Sequence, residues 1–188
     1  ELSFFNIMGL RKSQFARRSQ VSYRMGLGFD THRLRQGRKL YLGGIEIPHE
    51  KGLDGHSDAD VLLHAICDAL LGAIADGDIG THFPPDDDNF LNVRSTTLLE
   101  RVMERVWAKG FILVNLDTVV IAQAPKVAPH RERMVSTIAS LVGLQSDSVS
   151  VKATTTEGLG PEGRQEAISA KAIVLLQSVA KEERGLTW

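Results

Sequence analysis

Fifteen consecutive residues, Val61 to Ala75, are interrupted by only one imidazole and one carboxylate, His64 and Asp68, and by no helix breaker except Gly72. A helix that is apolar nearly all round is a buried helix. At this length it falls short of the roughly 20 residues that a membrane span requires. The rest of the chain therefore has to be wrapped around this segment. Start signals precede it: Ser57 has N-cap chemistry, and Asp58 and Asp60 fall in the expected first turn, where carboxylates suit the helix dipole. With 188 residues, 43% hydrophobic and 24% charged, the chain is long enough for one domain with a real core.

The covering elements read as a mixture. Met25, Leu27 and Phe29 alternate with Gly26, Gly28 and Asp30, the period of a strand. Leu40 and Leu42 lead through Gly43-Gly44 into Ile45 and Ile47, a hairpin stopped by Pro48. Ser95 to Lys109 carries one apolar stripe, from Leu98 and Leu99 to Val106, and Gly110 suits the position beyond its end. Phe111 to Gln123 reads as a long strand, Pro129 and His130 open a helix that ends near Gly143, and Val149, Val151 and Ala153 suggest another strand. Ala167 to Ala180 is ambiguous: it is Ala-rich enough for a helix, yet Ile168, Ala170, Ala172, Val174 and Leu176 alternate. The expectation is one α+β domain over residues 25–180, a small mixed β-sheet with helices packed on one face. Residues 1–24 read as a leader, tag or linker remnant, and 181–188 as a C-terminal tail.

Charge is unevenly spread. Residues 1–24 hold five cations, Arg11, Lys12, Arg17, Arg18 and Arg24, against Glu1, so the remainder of a chain with net charge −1 carries −5. An acidic body lacks the basic surface that nucleic-acid binding needs. Neither nucleic acid nor membrane is an expected partner. The single cysteine, Cys67, lies inside the apolar helix and reads as core packing. Nothing here suggests an oxidising compartment, and residues 1–24 superficially match the remnant of a transit peptide, which would point to a plastid.

Several clusters carry chemistry. Asp30 and His32, two apart on an extended chain, point the same way. Asp60, His64 and Asp68 repeat every four residues and share one helix face. Ionisable groups in so apolar a surround are costly unless paired or metal-bound, although a narrow stripe facing solvent is the alternative. Asp30, His32 and His64 together would give three ligands and one open position, the pattern of a catalytic zinc. Asp60 or Asp68 could accept from His64 and orient it. His56 and Ser57 sit at the expected helix start, where an anion is favoured.

The segment Asp78-Ile79-Gly80 and then Phe83-Pro84-Pro85-Asp86-Asp87 is an acidic loop, either a solvated connector or a binder of sugar hydroxyls or a cation. The turn Ala122-Gln123-Ala124-Pro125-Lys126-Val127-Ala128 offers backbone groups to a flat polar ligand, with Lys126 for phosphate. Thr154 and Thr155 with Glu157 suit phosphate oxygens and a magnesium ion, and Arg164 could grip a phosphate. The chain has no G-x-x-x-x-G-K-[ST] loop and no G-x-G-x-x-G fingerprint, which argues against Walker-type and Rossmann nucleotide sites.

In order and at matching spacings, Gly-Phe-Asp-Thr-His (28–32), His-Ser-Asp-Ala-Asp-Val-Leu-Leu-His (56–64), Asp-Ala-Leu-Leu-Gly (68–72), Gly-Asp-Ile-Gly (77–80), Ala-Gln-Ala-Pro-Lys (122–126) and Val-Lys-Ala-Thr-Thr-Thr-Glu (151–157) resemble the 2-C-methyl-D-erythritol 2,4-cyclodiphosphate synthase family. The resemblance implies a metal-dependent phosphorus–oxygen lyase of non-mevalonate isoprenoid biosynthesis. It would cyclise 4-diphosphocytidyl-2-C-methyl-D-erythritol 2-phosphate and release CMP. It implies zinc, or another divalent transition metal, on Asp30, His32 and His64, and magnesium or manganese at Glu157. His56 and Thr155 would be transition-state donors and 122–128 a cytosine pocket, with 78–80 and 83–87 contacting the methylerythritol. It further implies that 167–177 is a strand, and that a homotrimer around a threefold axis has active sites between subunits. In such a trimer Arg164 would belong to a central cavity for isoprenoid diphosphates.

Two positions depart from the family: Pro161 replaces an aromatic residue, and Pro85 replaces an acid. Two other functions stay open beside this one, a metal-dependent nucleotide-diphosphate hydrolase and a non-catalytic trimeric phosphate-ligand-binding module.

Overall fold

The computed structural model describes residues 21–84 and 93–179. Its central layer is a five-stranded mixed sheet in the order β4-β1-β7-β5-β6, made of β1 (Tyr23–Gln36), β4 (Lys51–Leu53), β5 (Phe111–Ile121), β6 (Val149–Thr154) and β7 (Ala167–Ser178). All neighbours are antiparallel except β5 and β6. A separate hairpin pairs β2 (Leu40–Leu42) with β3 (Ile45–Ile47). The helices are α1 (Val61–Ala73), the single turn α2 (Ile79–His82), α3 (Ser95–Ala108), α4 (Arg131–Val142) and the single turn α5 (Gly160–Gly163).

Helix α1 is as buried as its composition demands, with eleven of its thirteen residues inside. Leu62, Leu63, Ile66, Leu70 and Leu71 are fully enclosed, and each such side chain contributes about 1.5–3 kcal/mol. The helix lies directly on β1. A Cβ on Gly26 would stand 1.8 Å from the Ala69 carbonyl oxygen, and one on Gly28 1.9 Å from that of Ala65. Four helical residues rise about 6 Å and two strand residues about 6.6 Å, so the two backbones keep step. Continuing along the same row, β1 reaches Asp30 as α1 approaches its N-terminus.

Several boundaries differ from expectation. Strand β1 begins at Tyr23 and continues past Asp30 to Gln36, because residues as far as Arg33 pair with β7 and the last three pair with β4, a strand too short to show a sequence period. The ambiguous C-terminal segment is a strand, paired with β1 on one side and β5 on the other. The acidic loop contains the turn α2.

Ser57 is not the cap of α1, and Asp58 and Asp60 are not in its first turn. Asp60 is the cap and accepts from Leu63 N–H at 3.1 Å. Its carboxylate also takes the N–H groups of Gly43 and Gly44 at 2.9 and 2.7 Å. Both glycines have positive φ, +63° and +81°, as a two-residue hairpin turn requires. The hairpin competes for this carboxylate, and so the cap falls at Asp60.

The helices cover one face of the sheet. The other face exposes Met25 (76%), Leu27 (68%), Phe29 and Ile173. Among the described residues no helix is long and apolar enough to cross a membrane.

Gly28→Ala should destabilise the fold by about 1–3 kcal/mol or more, since the new methyl meets the helix backbone at Ala65 and Ala69 across a packed seam. Urea unfolding measures this; an unchanged midpoint would mean that the helix can move off the strand at no cost.

Candidate metal centre

Asp30 Oδ2, His32 Nε2 and His64 Nδ1 form a triangle with every edge 3.0 Å. It is the one group of metal-compatible side chains found among the described residues. Ligand atoms around a tetrahedral ion at zinc–nitrogen distances lie about 3.3 Å apart, so the triangle has the dimensions of three tetrahedral ligands.

Protons decide what these atoms can do. His32 Nδ1 lies 2.7 Å from the Asp54 carbonyl oxygen. That oxygen can only accept, so Nδ1 carries the hydrogen and Nε2 a lone pair. His64 Nε2 lies 2.9 Å from Ser95 Oγ, whose own proton goes to Asp58 Oδ1 at 2.5 Å. His64 therefore donates from Nε2 and presents a lone pair at Nδ1. Two neutral imidazoles and a carboxylate then aim three lone pairs at one point, an arrangement that calls for a cation.

The electrostatics of the triad agree. Burial alone would raise the Asp30 carboxyl, but hydrogen bonds and charge from His32 and His64 hold it well below the usual range. Burial alone would lower His32, yet its bond and charge interaction with Asp30 raise it. A dication would take the place of those protons on the same atoms.

The chain behind His64 continues. Asp58 is paired with Arg94 at 2.8 Å, and the Arg94 guanidinium stacks over the Tyr41 ring at 4.2 Å. The acceptor expected from Asp60 or Asp68 is thus Ser95 instead. Asp60 is turned toward the hairpin, and Asp68 accepts from Ile79 N–H at 2.8 Å. Burial raises the Asp68 carboxyl, while the Ile79 bond opposes the shift. Its role is to pin the loop.

A cavity of about 250 Å³ opens on the triad. His56 and Ser57 line one side of it, and Ile79, Gly80 and Phe83 another. Helix α1 starts at Val61, so His56 and Ser57 lie ahead of it in a bend, not at its first turn. Asp78 caps α2 by accepting from Thr81 N–H, and Pro84 follows Phe83. Pro85, Asp86 and Asp87 lie outside the described residues.

The remaining candidates gather elsewhere. Ala122 N–H donates to the Thr154 carbonyl at 3.0 Å, which joins the 122–128 turn to the end of β6. There Thr155 Oγ1 donates to Glu157 Oε1 at 2.9 Å, and Glu157 holds a left-handed φ of +53°. Thr154, Thr155, Glu157, Gln123 and Lys126 are exposed, while Ala122 and Val127 are buried and Ala124, Pro125 and Ala128 flank them. In register, Asp30 pairs with Ala170, Ala170 with Val120, and Val120 with Ala153. Three strand spacings, about 14 Å, thus separate the triad from this second cluster. Arg164 is gripped by Glu166 through two bonds of 3.0 and 2.9 Å.

The chain matches the YgbB family over residues 23–177, from the first residue of β1 to the penultimate residue of β7. It belongs to that family. Relatives named 2-C-methyl-D-erythritol 2,4-cyclodiphosphate synthase include one from Syntrophomonas wolfei, 56% identical over 154 residues, and one from Bacillus mycoides, 57% identical over 155. Each match covers 82% of this chain and 98% of the relative.

Among solved structures, the bifunctional IspDF of Campylobacter jejuni superposes with a TM-score of 0.83 at 40% identity, over 86% of this chain and 44% of that one. Plasmodium falciparum IspF in a CDP complex gives 0.74 at 32% identity, over 84% and 97%. The mixed sheet with helices on one face is therefore the YgbB-family fold.

Ser95 and Asp54 are not among the site residues singled out from sequence, and Asp58 is read there only as a helix-start carboxylate. A serine at the start of a helix reads as a cap, and nothing local reveals that it faces an imidazole 31 positions earlier. Ser95→Ala should weaken divalent-metal affinity by roughly 10–100-fold, as loss of an outer partner does. Competition against a chromogenic chelator measures it, and an unchanged affinity would exclude Ser95 from the site.

Proposed function

We infer that the chain is a cyclodiphosphate synthase: it closes 4-diphosphocytidyl-2-C-methyl-D-erythritol 2-phosphate to 2-C-methyl-D-erythritol 2,4-cyclodiphosphate and releases CMP. The observation that carries this reading is the convergence of three lone pairs from Asp30, His32 and His64 on the floor of a cavity flanked by His56 and the 78–84 loop, in a YgbB-family chain. In the reaction an oxygen of the 2-phosphate attacks the β-phosphorus. The bond from that phosphorus to the oxygen bridging to the α-phosphate breaks, and CMP leaves with the electron pair. Two anions must meet, so the barrier is charge repulsion and alignment.

A divalent ion, zinc by the donor set, would supply Lewis acidity and a template for the phosphates. The chain's own residues do the rest. His56 and Ser57 are placed to donate to a phosphate at the cavity wall. Ile79, Gly80 and Phe83, tied down through Asp68, form a surface for the methylerythritol, with Asp78 capping the turn that carries them. The CDP named in the Plasmodium structure supports a nucleotide site, and we assign the cytosine to 122–128, with Lys126 for phosphate. Glu157 is the proposed magnesium or manganese ligand, and Thr155, bonded to it, the second donor. Thr154 stands beside it.

These two halves lie about 14 Å apart across the sheet, which favours a site completed by another copy. A homotrimer around a threefold axis, covering the exposed apolar face of β1 and β7, accounts for both the separation and the exposure. An isoprenoid diphosphate at that axis would have to displace Glu166 from Arg164. The relatives from Bacillus and Syntrophomonas are bacterial, which fits a bacterial cytoplasm as the place of reaction.

Incubation of the purified protein with the diphosphocytidyl substrate, zinc and magnesium should give CMP and the cyclic diphosphate. CMP with an open-chain bisphosphate would indicate hydrolysis, and no turnover would indicate a binding module; either result ends this reading. Elemental analysis should find about one zinc per subunit, as one tetrahedral site implies. His64→Ala should lose it, with activity falling further than the roughly 10–100-fold typical of an outer partner. Leu27→Glu should dissociate the trimer, seen by light scattering, and abolish turnover while metal binding to the monomer persists; a wild-type protein that is monomeric and fully active would overturn the shared site.

A further inference from the structure

The segment from Asp54 to Ser57 touches the site from above. Its first residue accepts from His32 Nδ1 through the main-chain carbonyl and so fixes which nitrogen of that ring faces the triad. Gly55 packs close against the ring: a Cβ there would come within 3.0 Å of His32 Cε1 and 3.2 Å of Nδ1. His56 and Ser57 then form the cavity wall. The segment is short: Asp54 N–H still donates to the Arg33 carbonyl of β1 at 2.8 Å, and residues 55–57 beyond it form an irregular bend outside any strand or helix.

One side chain grips it from the outside. Arg38 Nη1 donates to Asp54 Oδ1 at 3.2 Å and to the Gly55 carbonyl at 3.2 Å, and Nη2 donates to the Ser57 carbonyl at 3.1 Å. A peptide plane is rigid, so fixing the carbonyls of 55 and 57 fixes the planes on either side of the His56–Ser57 pair. The base of Arg38 is fixed too. Gly52 in β4 lets that strand press on the Arg38–Lys39 backbone, where a Cβ would stand 2.6 Å from the Arg38 carbonyl oxygen and 2.2 Å from that of Lys39. Arg35 also reaches Asp54, at 3.4 Å, and its bond goes to the carboxylate alone.

We propose that Arg38 is a positioning residue for the reaction, a guanidinium clamp that holds the 54–57 segment against His32 and aims His56 and Ser57 into the cavity. The proposal rests on the synthase reading for its kinetic consequence. It does not rest on that reading for its structural one. A planar fork with several donors suits three acceptors spread over four residues, and a lysine ammonium, a single point on a flexible stem, does not. Arg38 also lines a second open space of about 370 Å³, with Lys39, Tyr41 and Arg94, so a small cation can reach its place from solvent.

The test uses the full chain as Arg38→Ala and Arg38→Lys. In Arg38→Ala, kcat should fall by roughly 10²-fold while KM changes less than about threefold, the signature of a misaimed donor. Guanidinium ion at a sub-denaturing concentration should restore part of the lost kcat, and sodium chloride of equal ionic strength should not. Arg38→Lys should recover less than the rescued alanine variant. Hydrogen exchange of residues 55–59 should quicken in both variants, with exchange in α1 unchanged.

Unaltered kinetics, or a loss that guanidinium does not reverse in a protein whose α1 exchange is normal, overturns the clamp. If Arg38→Ala does not fold, Arg38→Lys carries the same comparison of kcat and exchange. If the wild-type protein forms no cyclic product, the synthase reading fails, and unchanged exchange at 55–59 would separately dispose of the clamp.

Discussion

The approach of α1 onto β1 at Gly26 and Gly28 is the contact on which the rest depends. Backbone carbonyls of the helix occupy the space where side chains of the strand would be. Two glycines at a spacing of two, against helical residues at a spacing of four, make a seam in which strand and helix keep register without side chains between them. At its end the seam delivers Asp30 and His64 to 3.0 Å from each other. A seam wider by one methyl group would leave the carboxylate and the imidazole apart and the buried charge without compensation.

Legibility in the sequence followed the range of the interaction. The buried helix was evident because burial on all sides leaves one composition, and the glycine alternation marked the strand beneath it. The convergence of Asp30, His32 and His64 could be anticipated because each lies on an element with a strong local period. Strand β7 could not be told from a helix by composition, since Ala-rich alternation suits both. Its pairing with β1 and β5 settles it. The cap of α1 moved from Ser57 to Asp60 because a hairpin 16 residues earlier supplies two more donors. Ser95 was invisible for the same reason: its partner is set by how α3 docks, and docking leaves no mark on neighbouring residues.

The two clusters proposed as functional differ in what holds them. The triad is half-buried at the cavity floor, and hydrogen bonds back it from Asp54 on one side and from Ser95 and Asp58 on the other. The Thr154–Glu157 cluster is exposed, at the end of the edge strand β6, and its strained Glu157 backbone is supported by local bonds.

Asp60 has a further consequence. Its carboxylate sits in a cage made entirely of donors: two N–H groups of the hairpin turn and one of the helix. An asparagine of the same shape would turn an amide hydrogen toward one of them, so the nearest isostere is a poor substitute. The same cage welds the hairpin to the first turn of α1. The hairpin follows directly on Arg38, and His64 is one turn up the helix. His64 and Arg38 are thereby tied to the same hairpin, and Arg38 is held against β4 of the sheet as well, through Gly52. The segment from Asp54 to Ser57, bonded to His32 at one end and gripped by Arg38 along its length, joins that hairpin to the sheet.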